Sequence, residues 1–376
     1  MTSITALNYY TDANEHAQWD ERLTACGRTA GVTVEQSSVP GASLIPRVLR
    51  QASSRTLPDL VMLDNPDLQQ IAQTGALTPL DEYGIDSGDF TRGILAAGTY
   101  EGKVYGLAPT VSTIALVYNK DMLAQAGVAV PKTWDELKTA AAKLTGPGRY
   151  GLAVDANATF EGTWQFLPFL WSNGADEKHL DTPQAAQALQ LWVDLVRSGS
   201  MSKSVLNWTQ ADVHDQFVVG KAAMMLNGPW RIPALNKAKN LHWSVAPIPV
   251  RLKGQPLVTP LGGEVWAVPQ TASKARQVKA AQVLKCLNDS AHMLTLAGQN
   301  FTVPSRAPVA ARFAERVPSM AAFVESIDGA RDRTGELGVR WPRAATAIYT
   351  AIQSALTGEQ TPEEALERAQ QMVTSS

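Results

Sequence analysis

Cysteine is nearly missing from this chain: its 376 residues include two, Cys26 and Cys286. Neither belongs to a C-x-x-C pair or to any other metal-ligand spacing, so no thiol-built metal centre or local redox motif is expected. Cys26 continues a stripe with Trp19, Leu23 and Ala30, which predicts a buried free thiol on the apolar face of a helix. A Cys26–Cys286 disulfide is the alternative, and it would imply an oxidising compartment. Basic excess is missing too. With 33 Lys and Arg against 35 Asp and Glu, the net charge is -2, which excludes the phosphate-neutralising surface that nucleic-acid binding needs. No stretch approaches the roughly 18 consecutive apolar residues that would span a bilayer. The opening "MTSITALNYYTD" has neither a basic n-region nor an apolar h-region, so a secretory signal is not expected within this chain, and location has to be inferred otherwise.

The motifs of the common enzymes are missing as well. His16, His179, His214, His242 and His292 stand singly, and none belongs to an H-E-x-x-H pair of zinc ligands. There is no G-x-S-x-G nucleophile elbow, no G-x-x-x-x-G-K-[ST] phosphate loop and no G-x-G-x-x-G after a strand. The glycines of "PLGGEV", Gly262 and Gly263, are too few for a phosphate cradle. No catalytic residue, metal or cofactor is therefore expected. One enzyme class survives this search, because the paired carboxylates of a glycosidase come from unrelated positions in the sequence.

What is present is tryptophan and regular βα patterning. Ten tryptophans outnumber the eight tyrosines and the eight phenylalanines. The length exceeds what one hydrophobic core usually reaches, so two lobes are expected. Ile4–Tyr10, Val32–Val39 and Asp59–Asp64 read as strands, and Asn14–Ala30 reads as an amphipathic helix closed by Gly31. That alternation predicts an α/β protein with a mostly parallel sheet. Ligands of such sheets gather beyond the carboxyl ends of the strands, here "YYTDAN" and "LDNPD". Later helices carry clear start signals: Thr133 with Glu136, Thr182 with Pro183, and Thr361 with Pro362 and Glu364, the capping residue and first-turn proline that such termini favour. Gly199 marks a stop. No repeat or Pro/Gly/Ser linker separates the lobes, which suggests a chain that crosses between them within ordered segments.

At "ALVYNKDMLAQAGVAVPKTWDELKTAAAKLT", residues 115–145, the sequence resembles the extracellular solute-binding proteins of ABC importers, in their maltose-binding-protein-like, carbohydrate type. The pattern returns in order at "FLPFLWSNGA", "FVVGKAAMMLNGPW", "TPLGGEVWAVP" and "ALTGEQTPEEALERAQ", while the amino-terminal part agrees mainly in its βα pattern. The resemblance implies a two-lobe, periplasmic-binding-protein-like (type II) fold with a ligand cleft between the lobes. Residues 1–109 and 263–308 would form the amino-terminal lobe, and residues 110–262 and 309–376 the carboxyl-terminal one. The chain would cross near Ala108–Ile114, Pro260–Glu264 and Pro304–Val309.

The resemblance also implies a set of ligand-binding residues. Trp230 follows the Asn-Gly-Pro turn and matches a position whose indole stacks on a sugar ring; a wedge packed under the turn is the alternative. Trp164 matches a second stacking position, although its helical spacing to Leu167 and Trp171 reads as core. Trp171 is assigned to the core. Ser112 and Thr113 lie in the first crossing, where the maltose-binding protein has a carboxylate, so the maltose site is not reproduced. Tyr10, Asp12 and Asn14 end one strand and Asp64 and Asn65 another, as hydroxyl-pairing groups or as caps of the next helix. Gly262, Gly263 and Glu264 lie at the second crossing, where bare backbone N–H groups could approach a ligand. Glu161, Asn227, Arg340 and Trp341 complete the set.

The function so implied is an extracytoplasmic receptor that binds a sugar or short oligosaccharide and delivers it to ABC permease subunits. It would be a monomer without nucleic acid, periplasmic or lipid-anchored. A receptor for a glycerol phosphodiester or polyol is an alternative that would want a cation such as Arg340. A glycan-active extracellular enzyme is another.

Overall fold

A computed structural model of the chain describes residues 2–375. It has two compact α/β units. Unit 1 comprises Met1–Ser112, Leu261–Asp328 and Asp332–Val339; unit 2 comprises Thr113–Pro260, Gly329–Arg331 and Arg340–Ser376. The chain leaves unit 1 after Ser112 and re-enters it at Leu261. Its last passage differs from expectation: 309–328 and 332–339 belong to unit 1, not to the second lobe. The cause is local. Strand Val303–Pro304 pairs with Thr110–Val111, and the helix that follows, Ala307–Arg316, buries Val309, Ala310 and Phe313, so its apolar face is committed before the chain can depart.

Unit 1 is built on a five-stranded sheet in the order Val32–Ser38, Thr2–Asn8, Leu60–Asp64, Glu264–Ala267, Gly106–Leu107. The first three strands are parallel, and Glu264–Ala267 is antiparallel to both of its neighbours. Leu60, Val61, Met62 and Leu63 are all buried, the pattern of a central strand covered on both faces. Helix Ala13–Ala30 starts at the cap Asp12 and stops at Gly31, whose φ of 71° is the left-handed conformation that glycine adopts without strain. It buries the expected stripe Trp19, Leu23, Cys26 and Ala30.

Cys26 is not a free thiol, however, because it forms a disulfide with Cys286. Cys286 lies on helix Lys274–Leu287, which packs against Ala13–Ala30. Periodicity revealed the burial of Cys26, which is 0% exposed, but held no trace of a partner 260 residues away.

Unit 2 has a four-stranded sheet in the order Trp243–Ala246, Ala115–Asn119, Ala222–Asn227, Tyr150–Ala153. Ala115–Asn119 runs antiparallel to its neighbours, and Ala222–Asn227 runs parallel to Tyr150–Ala153. Trp192 is fully buried, with the rings of Phe166 and Phe169 set edge-on at 5.2 and 5.7 Å. The caps form largely as the sequence signals. Thr361 and Glu364 make a reciprocal capping box, and Thr182 caps Pro183–Arg197. At Thr133 the box is half changed: its hydroxyl accepts from Glu136 N, but the Glu136 carboxylate accepts from Lys132 N instead of from the cap's own N–H. Among the described residues no helix is long and apolar enough to cross a membrane.

Candidate functional site

In unit 1 the polar groups collect at one end of the sheet. Strand Thr2–Asn8 ends there and releases Tyr9 and Tyr10, strand Leu60–Asp64 ends there, and the antiparallel strand Glu264–Ala267 begins there. Glu264 therefore pairs directly with Asp64 across the ladder. Two carboxylates so placed repel each other, and each has its own donor. The Tyr9 hydroxyl donates to Glu264 Oε1 at 2.6 Å. Arg333 sets its guanidinium fork on Asp64, Nη1 to Oδ2 at 3.0 Å and Nη2 to Oδ1 at 2.8 Å, the two-pronged geometry that a guanidinium matches best. Burial pushes the Glu264 carboxyl upward, the Tyr9 bond opposes this, and the Asp64 charge adds to the rise. Both tyrosine hydroxyls are raised well above their ordinary range, first by burial and then by the charge of Glu264. Asp67, one short turn beyond Asp64, is pushed up to about 7 by burial and by the Asp64 charge, against the pull of Arg333. The aromatic side of this group is ordered: Tyr10 stacks on Trp19 at 5.3 Å, and Trp19 meets Trp266 at 5.2 Å.

In unit 2 two tryptophan-bearing segments are tied to one residue. Gln165 follows Trp164 on helix Phe160–Ser172, and its side-chain amide donates to Gln210 Oε1 at 3.3 Å and to Leu226 O at 3.2 Å. Asn227, at the end of strand Ala222–Asn227, donates to Gln210 O at 2.9 Å. Gly228 and Pro229 then lead into a short 3-10 turn, Pro229–Arg231, that carries Trp230 half-buried. The indole folds back over the main chain. A Cβ at Gly228 would collide with Cζ3, Cη2 and Cε3 of Trp230, so glycine is what lets one face of the ring lie on the backbone. Beneath this framework Asp155 is fully buried and pushed up to about 9, by burial first and then by its hydrogen bond with Glu161.

The structure sorts the residues expected from sequence. Glu264, Asp64 and Tyr10 come together, whereas Asp12 is the N-cap of Ala13–Ala30, its Oδ1 accepting from Asn14 N and Glu15 N at 2.9 and 3.1 Å. Asn14 is exposed in the first turn. Asn65 is buried, and its amide donates to the carbonyls of Gly263 and Leu261, so it fastens the second crossing. Gly262 does not offer a bare N–H: it donates to Ser112 O at 2.7 Å and accepts from Ser112 N at 3.0 Å. Gly263, at φ 144°, brings its Cα so near Thr110 O that a Cβ would stand 2.9 Å away, a packing reason for glycine. Thr113 directs its hydroxyl to Pro260 O at 2.8 Å. Trp164 is buried at 7% exposure and Trp341 at 2%, the latter opening helix Trp341–Thr357 next to an exposed Arg340. Trp171 is buried, donates to Glu177 at 2.8 Å, and carries the Arg331 guanidinium over its ring. Sequence reasoning missed Tyr9, Arg333, Asp67 and Asp155. Tyr9 was one residue from a named candidate, inside a strand whose end was read two residues too late; for Arg333 no local signal existed.

Residues 21–323 match the family described as bacterial extracellular solute-binding protein. The chain belongs to that family. A putative binding protein of Brucella abortus is 31% identical over 231 residues, covering 58% of this chain and 56% of that protein. The maltotriose-binding protein of Pyrococcus abyssi is 29% identical over 218 residues, covering 56% of this chain and 45% of its own length. The chain thus spans about half the length of these relatives. Among solved structures, the GacH receptor of Streptomyces glaucescens, determined unliganded and with acarbose, superposes with a TM-score of 0.82 at 27% identity over 98% of this chain and 97% of that one.

Proposed function

We propose that this solute-binding protein captures a sugar or short oligosaccharide outside the cytoplasm and delivers it to the permease of an ABC importer, as a receptor without cofactor or turnover. The observation that carries the reading is Trp230, whose ring is braced on one face by Gly228 and half-buried. The C–H face of a pyranose is apolar and slightly positive, and it lies well on the electron-rich face of an indole. The Tyr9–Glu264 and Asp64–Arg333 pairs of unit 1 supply the directed acceptors and donors that sugar hydroxyls require. The names of the relatives support the same class: one binds maltotriose, and another was solved with acarbose. Of the expected ligand residues, Tyr10, Asp64, Glu161, Trp164, Trp230 and Glu264 are retained in this proposal. A glycerol phosphodiester is a weaker candidate, since Arg333 already has its fork on Asp64.

A monomeric receptor, periplasmic or lipid-anchored, belongs to this proposal. The test is a thermal-shift screen over neutral mono- and oligosaccharides, because a ligand at 100 times its Kd adds about 2.7 kcal/mol of stability. A sugar that raises the melting midpoint should release no reducing ends on incubation. A panel in which no sugar moves the midpoint, or in which the active sugar is hydrolysed, overturns the reading.

A further inference from the structure

The disulfide of unit 1 has a neighbour that a disulfide does not need. His292, on helix Ser290–Asn300, places Nε2 at 3.6 Å from Cys26 Sγ and at 3.8 Å from Cys286 Sγ. Its other nitrogen, Nδ1, stands 3.0 Å from Asp289 Oδ2. A carboxylate can only accept, so the neutral ring carries its proton on Nδ1 and keeps its lone pair on Nε2, the nitrogen beside Cys26 Sγ, while Cys286 Sγ lies 3.8 Å from Nε2 and from Nδ1 alike. In the oxidised pair those sulfurs bear no hydrogen, so neither can donate to that lone pair. The same arrangement is the one that zinc-binding histidines use: a carboxylate fixes the tautomer and the ring angle, and Nε2 is left for the metal.

The geometry points to a Cys2His zinc site that exists in the dithiol form of the chain, with Cys26 Sγ, Cys286 Sγ and His292 Nε2 as ligands. The three ligand atoms already lie within 4.8 Å of one another. Two thiolates on one tetrahedral zinc, with Zn–S near 2.3 Å, stand about 3.8 Å apart, a separation that the sulfurs reach once the bond between them is gone. Two thiolates and an imidazole suit Zn²⁺ better than the oxygen-seeking Mg²⁺ or Ca²⁺, and water can fill the fourth position. The sulfurs are buried, Cys26 at 0% and Cys286 at 8%, while the His292 side chain is 27% exposed, so the imidazole is the face by which an ion arrives. The chemistry balances. A dithiol reductant transfers two electrons and two protons to the disulfide, leaving two Cys thiols and the oxidised reductant; Zn²⁺ then displaces both thiol protons to solvent. Zinc and the disulfide are thus alternative cross-links between the same two helices, Ala13–Ala30 and Lys274–Leu287.

The experiment uses the full chain, reduced with a dithiol and desalted without oxygen, and Co²⁺ as the spectroscopic probe. One equivalent of Co²⁺ should bring up thiolate-to-cobalt charge-transfer absorption that Zn²⁺ abolishes, and the oxidised chain should show none. Zn²⁺ should protect both thiols from a maleimide. Asp289→Asn should weaken cobalt binding about 10- to 100-fold, and His292→Ala at least as much. If reduction loosens unit 1, Zn²⁺ should restore its circular dichroism and raise its melting midpoint. Thiols that stay reactive at saturating Zn²⁺, a His292→Ala chain with unchanged cobalt affinity, or a reduced chain that melts alike with and without Zn²⁺ overturns the assignment.

Discussion

The indole of Trp230 rests on Gly228, two residues before it in the sequence, so closely that any side chain at Gly228 would occupy the ring's place. Gly228 has φ -104° and ψ 170°, a conformation open to most residues, so the need for glycine here is the ring and not the backbone. Gly228→Ala should therefore fold, push the indole from its seat, and weaken sugar binding nearly as much as Trp230→Ala. For the latter, a loss of about 1–3 kcal/mol is expected for a well-packed aromatic anchor. Calorimetry with the sugar found by thermal shift measures both, with Trp243→Ala as the contrast, since Trp243 lies in a strand and packs beside the Val117–Phe217 cluster. Wild-type affinity in Gly228→Ala would show that the ring's seat does not matter.

Arg333 and Asp64 give a prediction of the opposite kind, a stability effect. The Arg333 side chain is 5% exposed and Asp64 is 31% exposed, so Arg333→Ala leaves a half-buried carboxylate facing Glu264 without its fork. Charge-assisted hydrogen bonds of this sort are worth about 1.5–3 kcal/mol, and the unfolding midpoint in denaturant should fall accordingly. Arg333→Lys keeps the charge but not the paired geometry, and an intermediate loss is expected. Equal stability of all three proteins would show that the ion pair contributes nothing.

How much of this was legible beforehand depends on the range of the signal. Helix Ala13–Ala30, its Gly31 stop and the Thr361–Glu364 box are written in neighbouring residues and form as read. Asp64 and Glu264 stand at the strand ends where the sequence set them, and Trp230 follows its Asn-Gly-Pro turn. Elsewhere local chemistry engages the residues named. Asp12 is a better cap than ligand, and Gly262 is engaged in a bridge to Ser112. Arg333, the disulfide partner Cys286 and the late departure of the chain from unit 1 are set by contacts far apart in sequence, which no periodicity encodes.

The disulfide closes a loop with a sequence separation of 260. Cross-linking so long a loop restricts the unfolded chain strongly, and removal of a native disulfide typically costs about 2–5 kcal/mol. Cys286→Ser should lower the melting midpoint of unit 1 while leaving sugar affinity at a temperature below unfolding unchanged. An unaltered midpoint would mean that the packing of the two helices alone supplies the constraint.

Asp67 supplies a pH prediction whose sign follows from its burial. Its carboxyl is pushed up to about 7 in the folded chain, from an ordinary value of 3.8. Below the ordinary value both states hold the proton, and the folded protein bears no penalty. As pH rises from about 4 to about 7, the unfolded chain releases the proton while the folded chain retains it, so the folded state loses stability across that window. Above it both states are ionised, and the penalty stays at its full size. Asp67→Asn has no proton to release. It should therefore be no more stable than wild type near pH 4, but more stable than wild type by pH 7.5, provided the amide fits the space of the carboxyl. Denaturant midpoints of the two proteins at both pH values check this, and a difference between them that is the same at pH 4 and pH 7.5 would mean that Asp67 is ionised in the folded state throughout.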